Sequence, residues 1–200
     1  MADPAKGEII WDPITGDPEN PPFQGKILCD QRSVFSIDFH NVCDIHRTSW
    51  RSATRYWDSV GPQAAEAIRK LSIYFNTVIC SYCHSQFRTD RVIEACLNQF
   101  NDRTVKLVII TKQPTGPHGK LAILKSLVEP CTSVAFHIDD GPHILSEIVR
   151  ERNIHWSCIG IRHKRHLEIP EQVTTICWNL QEVAERAYQE VDTIRDDPDN

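Results

Sequence analysis

Residues 33–41 read Ser-Val-Phe-Ser-Ile-Asp-Phe-His-Asn, a short apolar run that ends in an acid at Asp38. Residues 133–140 read Ser-Val-Ala-Phe-His-Ile-Asp-Asp and end in the same way, at Asp139 and Asp140. Short runs rich in Val, Ile and Phe are typical of buried β-strands. The two stretches therefore predict strands that each present a carboxylate at the C-terminal end.

Outward from these stretches, apolar runs alternate with amphipathic helical patterns. Strands are predicted over residues 33–38, 77–81, 106–111, 133–138, 156–161 and 173–177, and helices over residues 61–75, 89–100, 119–128, 141–149 and 180–191. In the second helix, Thr89 is the predicted N-cap and Leu97 belongs to the predicted inner face. Strands that alternate with helices indicate right-handed crossovers and a mostly parallel sheet, and strands without polar alternation indicate helices on both faces. The predicted fold is therefore doubly wound, Rossmann-like α/β.

Proline content and segment lengths divide the chain into three parts. Five prolines fall within residues 1–25, which predicts an extended arm because proline disfavours helices and central strands. Residues 26–192 are predicted to form the α/β domain, and residues 193–200 an acidic, flexible tail. Residues 41–60 and 112–120 are too few for a domain of ordinary size, so no separate cap domain is expected over the site.

The composition is that of a soluble globular protein, with 200 residues of which 40% are hydrophobic and 24% charged. A net charge of −5 argues against a dedicated nucleic-acid-binding protein, since such proteins usually need a basic face. No apolar run approaches the roughly 20 residues needed to cross a bilayer, and the N-terminus lacks the apolar core of a secretory signal. We therefore expect a soluble cytoplasmic protein without membrane association.

Eight cysteines stand mostly singly inside apolar runs, so reduced and buried thiols are the preferred interpretation. Residues 80–84 form C-x-x-C-H, the spacing of haem c attachment, but nothing in the sequence indicates export to the oxidising compartment that this chemistry requires. A zinc site is the second alternative, although no second close cysteine pair supports it. Its ligands would come from His40, Cys43, His46, Cys83 and His84.

Polar side chains gather at the C-terminal ends of the predicted strands, where parallel α/β sheets bind ligands. They are Asp38, His40, Asn41, Ser81, Lys112, Asp139 and Asp140, with Lys120 at the start of a following helix. Carboxylates that converge from separate strands repel one another unless a hard cation lies between them, and Mg²⁺ prefers oxygen ligands. A lysine and a hydroxyl beside the cation would hold phosphate oxygens. Each acid alone could equally cap a turn or a helix, so the whole set indicates the site.

The order strand-Asp, strand-Ser, Lys at a helix start and strand-Asp-Asp resembles the four motifs of the haloacid dehalogenase-like superfamily, over most of the chain. The resemblance implies that Asp38 is a nucleophile that forms an aspartyl-phosphate. It implies that Ser81 binds phosphate and that Lys120, with Lys112 as the alternative, neutralises the nucleophile and the phosphoryl group. Lys112 and Asn41 are also expected among the phosphate-binding residues.

The same resemblance implies a Mg²⁺ cofactor. Asp139 matches the acid that binds the metal, and Asp140 beside it is a ligand or an outer partner. Asp38 and the backbone carbonyl of His40 are the further expected ligands.

The sequence departs from the family pattern in three places. His40 stands where phosphatases of the family carry a second Asp as general acid and base, although an imidazole can also transfer protons near neutral pH. Residues 42–44 replace the usual Gly and Thr, and Ile138 replaces a small residue before the acid pair. Two hypotheses follow: a Mg²⁺-dependent phosphohydrolase of unknown substrate, and a binding or regulatory module with weak or no turnover.

An uncapped site is expected to be open. That favours a large phosphorylated substrate, such as a phosphoprotein or a nucleic-acid end, or a lid supplied by another subunit of a homo-oligomer. The basic run at residues 162–166 follows the fifth strand, and it is interpreted as a solvated loop or as a patch that attracts the anionic part of a substrate. The run lacks the aromatic interleaving of nucleic-acid-binding surfaces, so nucleic acid is not indicated as a general partner.

Overall fold

The structure is a computed structural model that describes residues 33–44, 59–100, 104–117, 119–127, 135–150, 156–161, 168–173 and 175–195. The predicted arm over residues 1–25, the basic run at 162–166 and His46 lie outside the described residues. The last helix extends to Arg195 and so enters the segment that was predicted as a tail.

Every predicted strand and helix is present, with shifts at the ends. The strands are β1 (Val34–Ile37), β2 (Asn76–Tyr82), β3 (Leu107–Thr111), β4 (Ala135–Asp139), β5 (Trp156–Ile161) and β6 (Thr175–Cys177). The helices are α1 (Pro62–Tyr74), α2 (Gln86–Gln99), α3 (Lys120–Leu127), α4 (Pro142–Arg150) and α5 (Leu180–Arg195).

The six strands form one sheet in the order β3-β2-β1-β4-β5-β6, and every neighbouring pair is parallel. The chain builds outward from β1 to β3 and then crosses to the other side of β1 for β4. The strand order therefore reverses between β1 and β4, and in open α/β sheets the crevice at this point binds ligands. The predicted doubly wound, Rossmann-like fold is confirmed.

Apolar side chains cover the sheet on both faces, because successive residues of a strand point to opposite sides. One core cluster unites residues of α1, α2 and α5 with Phe35 and Ile37 of β1. The other unites residues of α3 and α4 with Val34 of β1. β1 is buried on both faces and has no solvent-exposed edge, so the residues that follow it are held by packing from both sides.

The start of α2 differs from the sequence prediction. Ser85, rather than Thr89, is the N-cap, and its hydroxyl accepts a hydrogen bond from the Arg88 backbone N–H at 3.4 Å. Thr89 lies buried in the helix instead, because a cap at Ser85 starts the helix before it. Leu97 is 54% exposed, so the prediction that it belongs to the inner face is wrong; it lies just beyond the edge of the apolar stripe.

Residues 43–44 and 60–61, on the two sides of the segment 45–58 that the structure does not describe, pair with each other. Asp44 forms an isolated antiparallel bridge with Val60, and the Gly61 backbone N–H donates to the Cys43 carbonyl at 2.8 Å. None of the described helices is both long and apolar enough to cross a membrane.

Candidate active site

Two carboxylates meet where the strand order reverses. Asp38 follows β1 directly and Asp139 is the last residue of β4. Ile37 pairs with Ile138 across the two strands, and the Asp38 backbone N–H donates to the Ile138 carbonyl at 2.8 Å. This register brings Asp38 beside Asp139, with Asp140 next along the chain. Sheet pairing alone thus assembles three acids from segments that are far apart in the sequence.

Lys120 joins the two strands at this point. Its Nζ lies 2.6 Å from Asp38 Oδ1 and 2.7 Å from Asp139 Oδ2, and the side chain is 1% exposed. The contact with Asp139 is a directed hydrogen bond, whereas Asp38 Oδ1 receives no hydrogen bond of good geometry despite the short ion-pair distance. Lys112, the alternative lysine, donates instead to Thr89 Oγ1 at 2.9 Å. The structure therefore brings Lys120, and not the Lys112 ammonium, onto the acids.

A close approach of backbone segments aims Lys120 at the acids. Lys120 is the first residue of α3, and its backbone N–H donates to the Pro114 carbonyl at 3.2 Å. Gly119 packs so tightly against the preceding turn that an added Cβ would lie 2.4 Å from Thr115 Cα. Only glycine fits at that position without a shift of the turn.

Lys120 and Asp139 stabilise each other's charged forms. Burial by itself would raise the pKa of Asp139, but the Lys120 ammonium and a hydrogen bond from His137 hold that pKa below its ordinary value. Burial would likewise lower the pKa of Lys120, but Asp139 and Asp38 raise it above its ordinary value. The two groups form a charged pair throughout the neutral range.

The negative charges of Asp38 and Asp140 are not offset as fully as that of Asp139. Burial raises the pKa of Asp38 to about 7, because the attraction of Lys120 only partly offsets desolvation and the repulsion of Asp139. Burial and the nearby charge of Asp139 raise the pKa of Asp140 to about 6. One lysine is therefore too little positive charge for three carboxylates.

The turn after β1 carries two more of the predicted residues into this region. His40 Nδ1 lies 3.1 Å from Ser81 Oγ, and Ser81 is fully buried near the end of β2. Asn41 adopts a left-handed backbone with φ of 62°, which Asn tolerates better than most residues. Its side-chain amide donates to Asp140 Oδ2 at 2.8 Å, and its backbone N–H donates to Asp44 Oδ1 at 2.7 Å. The turn thus links the nucleophile candidate, Ser81 and the acid pair.

No protein-family model matches this sequence, and no curated protein matches it either. Solved structures do match. The D,D-heptose 1,7-bisphosphate phosphatase of B. bronchiseptica, solved with magnesium and phosphate, aligns with a TM-score of 0.57 and 14% identity, over 79% of this chain and 99% of that chain. A protein described as a haloacid dehalogenase-like hydrolase, from Burkholderia xenovorans, aligns with a TM-score of 0.57 and 13% identity, over 80% and 98%. This is the haloacid dehalogenase-like fold.

A third solved structure, again of a phosphatase, also aligns with this chain. The 3-deoxy-D-manno-octulosonate 8-phosphate phosphatase of Moraxella catarrhalis, solved with magnesium, phosphate and KDO, aligns with a TM-score of 0.50 and 14% identity, over 80% of this chain and 87% of that chain. The predicted fold class and the haloacid dehalogenase-like resemblance are confirmed at the level of the fold, which is what identities this low establish.

Within this haloacid dehalogenase-like fold, the acids fit a hard divalent cation. Asp38, Asp139 and Asp140 each offer one oxygen, and these atoms all lie within 4.8 Å of one another. When all three are ionised, the Lys120 ammonium leaves two negative charges, which a cation such as Mg²⁺ would neutralise. Carboxylate oxygens at this spacing are the donor set that Mg²⁺ prefers. The expected contribution of the His40 carbonyl stays a prediction.

The zinc and haem alternatives find no support among the described residues. The three acids are the only group there with the spacing of a metal site among His, Cys, Asp and Glu. Cys80 and Cys83 belong to the core clusters on opposite faces of the sheet, so they cannot bind one group together. The cysteines whose side chains are described, Cys43, Cys80, Cys83, Cys96 and Cys177, are all free and buried, as expected for reduced thiols.

A cavity of about 330 Å³ opens beside Asn41. Its walls come from the turn after β1, the first residues of α1, the end of β5 and the start of α5. Trp178, 60% exposed, stands among its lining residues. The volume suits a small ligand or one part of a larger one.

Sequence reasoning missed two residues below the acids. His137 Nε2 lies 3.0 Å from Asp139 Oδ2, and His137 Nδ1 lies 3.0 Å from Ser36 Oγ. A signal was present: Ser36-Ile-Asp38 and His137-Ile-Asp139 share a spacing of two, which places polar side chains on one face of each strand. Only the pairing of β1 with β4 shows that Ser36 and His137 lie side by side.

Proposed function

We propose that this protein is a Mg²⁺-dependent phosphohydrolase that acts through Asp38. One observation carries the proposal: Lys120 bridges Asp38 and Asp139 at 2.6 and 2.7 Å, with an Asp140 oxygen in the same group, at the reversal of strand order. The similar phosphatases from B. bronchiseptica and Moraxella catarrhalis, which were solved with magnesium and phosphate, support the same chemistry.

In the proposed reaction, an Asp38 oxygen forms a bond to phosphorus while the bond from phosphorus to the leaving oxygen breaks. Water then attacks the phosphorus, which releases inorganic phosphate and returns Asp38. Asp38, Asp139, Asp140 and the His40 carbonyl would hold the cation. When bound, Mg²⁺ offsets the negative charge of the carboxylates and the phosphate, which lets them come together.

The other residues of the site position charge and protons. Lys120 offsets the negative charge of Asp38 and adds positive charge where the phosphoryl oxygens gather. The Ser81 hydroxyl, 3.1 Å from the His40 ring, would donate to a phosphoryl oxygen. His40 would give a proton to the leaving oxygen and later accept one from water. Asn41 and Lys112 remain proposed phosphate-binding residues, and Lys112 would have to leave Thr89 to take that role.

The cavity beside Asn41 is the proposed place for the part of the substrate that leaves. Asn41 borders the cavity and also donates to Asp140, so it connects the reacting centre with this space. The substrate is a phosphate ester, and a macromolecular one remains the preferred class because no cap domain is expected above the site.

The decisive experiment is turnover of a generic aryl phosphate by the full chain with Mg²⁺. We expect Mg²⁺-dependent release of phosphate, abolished by a chelator and reduced about 10³-fold or more in Asp38→Asn, because that variant lacks the nucleophile. Asp90→Asn, a change of the same chemistry at an exposed position of α2, is the matched control and should behave as wild type. No metal-dependent turnover across a broad panel of phosphate esters would overturn the proposal.

A second candidate function is a phosphate-binding or regulatory module with little turnover. The observation in its favour is His40, which stands where a carboxylate acts in the family and whose ring lies 3.1 Å from Ser81 Oγ. On this reading, His40→Asp should raise turnover by about 10²-fold or more, the usual contribution of a general acid or base. A wild-type rate that already equals or exceeds that of the variant would reject the module and favour the phosphohydrolase.

A further inference from the structure

A buried polar pair lies directly below the acids. Ser36 of β1 and His137 of β4 are both fully buried and are Cα partners in the parallel ladder. Both strands also carry an acid two residues further on, at Asp38 and Asp139. Since side chains two apart on a strand share a face, the four groups form a square with the acids at the C-terminal end.

Hydrogen bonds run through this square in one direction. Asp139 Oδ2 lies 3.0 Å from His137 Nε2, and because an ionised carboxylate only accepts, Nε2 carries the proton and donates. His137 Nδ1 lies 3.0 Å from Ser36 Oγ, and in the neutral ring it accepts the hydroxyl proton. The ionised Asp139 thus selects the ring form with the proton on Nε2, and the Ser36 hydroxyl, which can donate or accept, holds the ring at Nδ1.

The contacts of Asp139 show what this donation does. Asp139 Oδ1 accepts from the Gly141 backbone N–H at 2.7 Å, and Oδ2 accepts from Lys120 Nζ at 2.7 Å as well as from His137. Lys120 reaches the carboxylate on a long side chain and also contacts Asp38. His137 is the donor to Oδ2 that comes from a short, ring-shaped side chain inside the sheet, and together with the Gly141 N–H at Oδ1 it sets the plane of the carboxylate.

The buried polar pair of Ser36 and His137 lowers the stability of the core, because its polar groups must be desolvated. The neighbouring Val34 and Val78 belong to an apolar cluster on the same face, and apolar residues in place of Ser36 and His137 would pack there without desolvation of polar groups. The hydrogen-bonded chain does not end within the core; it ends on an acid of the candidate metal site.

We propose that His137 is a positioning residue, oriented by Ser36, that holds the Asp139 carboxylate in the direction required to bind the cation. This role presupposes the cation of the proposed function. Donors of this kind behind a metal ligand commonly change metal affinity by about 10- to 100-fold when they are removed.

The experiment measures binding of Mn²⁺ alone, as a spectroscopic substitute for Mg²⁺, to the full chain by calorimetry or electron paramagnetic resonance. His137→Phe keeps the ring shape and removes the donor, and we expect it to weaken Mn²⁺ binding by about 10- to 100-fold. His137→Gln places an amide donor near the position of Nε2 and should recover most of that loss. Ser36→Ala should weaken binding less than His137→Phe, because the ring still donates to Asp139 and only its contact at Nδ1 is lost.

A matched control separates positioning from general destabilisation. Thr77→Val, like Ser36→Ala, removes a buried hydroxyl; that of Thr77 donates to the Thr104 carbonyl, and Thr77 pairs with Phe35 near the start of β2, whereas the acids lie at the other end of the sheet. It should lower the unfolding temperature and leave Mn²⁺ affinity unchanged. In ¹⁵N NMR spectra, the His137 ring should show the Nε2–H form in the wild type and also in Ser36→Ala, because the ionised Asp139 can only accept at Oδ2.

The Mn²⁺ affinities of the variants and the ring form of His137 decide whether the positioning role holds. Mn²⁺ affinity of His137→Phe within about 3-fold of wild type, or an Nδ1–H ring in the wild type, rejects the positioning role. If Gln restores nothing, the loss is one of packing and the role is likewise rejected. A wild type that binds Mn²⁺ but cleaves no phosphate ester removes the proposed function and leaves this role standing, whereas a wild type that binds no Mn²⁺ removes both.

Discussion

At the scale of single residues, Asp38 holds a position that is unfavourable for its charge. Burial raises its pKa to about 7, from an ordinary value of 3.8, despite the ammonium of Lys120 beside it. An acid whose pKa is higher in the folded than in the unfolded chain binds its proton more tightly when folded. The free energy of unfolding therefore falls as the pH rises from about 4 to about 7, and it stays lower above that range.

We accordingly predict that Asp38→Asn is more stable than the wild type above pH 7, by on the order of 2 kcal/mol, when a chelator removes divalent cations. The advantage should shrink as the pH falls toward 4, because the wild-type carboxyl is then protonated. Chemical denaturation at several pH values measures both effects. Asp90→Asn, at an exposed site, should show no such pattern, and a variant less stable than wild type at pH 8 would contradict the prediction.

At the scale of elements, the start of α3 decides which lysine reaches the acids. Both lysines lie in the connection from β3 to β4, and their positions in the sequence do not distinguish them. The close packing of Gly119 on Thr115 sets the direction in which the helix begins, and Lys120 follows at once. Local spacing predicts the helix, but the contact between backbone segments orients it.

Gly119→Ala should therefore act on both stability and chemistry. The added methyl group would lie 2.4 Å from Thr115 Cα, so the turn or the helix must shift. We expect a loss of about 1–3 kcal/mol in the free energy of unfolding and a fall in turnover of about 10²-fold as Lys120 moves off Asp38.

Gly116→Ala is the matched control in the same loop. Gly116 has φ of 84° and no atom within 4 Å of an added Cβ, so this variant introduces backbone strain without a clash. It should lower stability by about 1 kcal/mol and leave turnover near the wild-type value. Equal losses of turnover in the two variants would show that the loop conformation, and not the approach at Gly119, positions Lys120.

Helix α2 shows where the sequence pattern of a helix is ambiguous. Ser85 and Thr89 are both capping residue types ahead of one apolar stripe, and the pattern could not choose between them. The side chain of Thr89 instead accepts a hydrogen bond from Lys112, a partner that only tertiary structure supplies. Leu97 extends the apolar pattern of the helix, yet it is 54% exposed, whereas Val92, Ile93 and Cys96 are buried.

At the scale of the whole molecule, the acids connect metal binding to folding. They belong to β1 and β4, which become neighbours only in the folded sheet, so a cation that binds them stabilises the folded state. We predict that Mg²⁺ raises the unfolding temperature, with a gain of about 2.7 kcal/mol when its concentration reaches 100 times the dissociation constant. Differential scanning calorimetry across a Mg²⁺ series tests this.

The Mg²⁺ effect should also depend on pH. Because the pKa of Asp140 is raised to about 6 and that of Asp38 to about 7, protons compete with the cation below these values. The shift in unfolding temperature should be larger at pH 8 than at pH 5. Asp140→Asn should reduce it, Asp90→Asn should not, and an equal shift at both pH values would contradict the role of these acids as ligands.

The amino-acid sequence by itself determined the elements and the fold class. Apolar runs and helical periodicity depend on neighbours along the chain, and they were enough to place each strand and helix and to mark Asp38, Asp139 and Asp140 at strand ends. The order of Asp, Ser, Lys and Asp-Asp was enough for the resemblance to the haloacid dehalogenase-like superfamily.

Tertiary structure alone decided which side chains touch. It put β4 beside β1, chose Lys120 over Lys112, tied His40 to Ser81, and placed Ser36 and His137 beneath the acids. The reason is that a contact between distant segments depends on strand order, register and the direction in which a helix begins. Strand order, register and helix direction are set by packing over the whole domain. No local pattern of residues encodes the distances between side chains that belong to different segments.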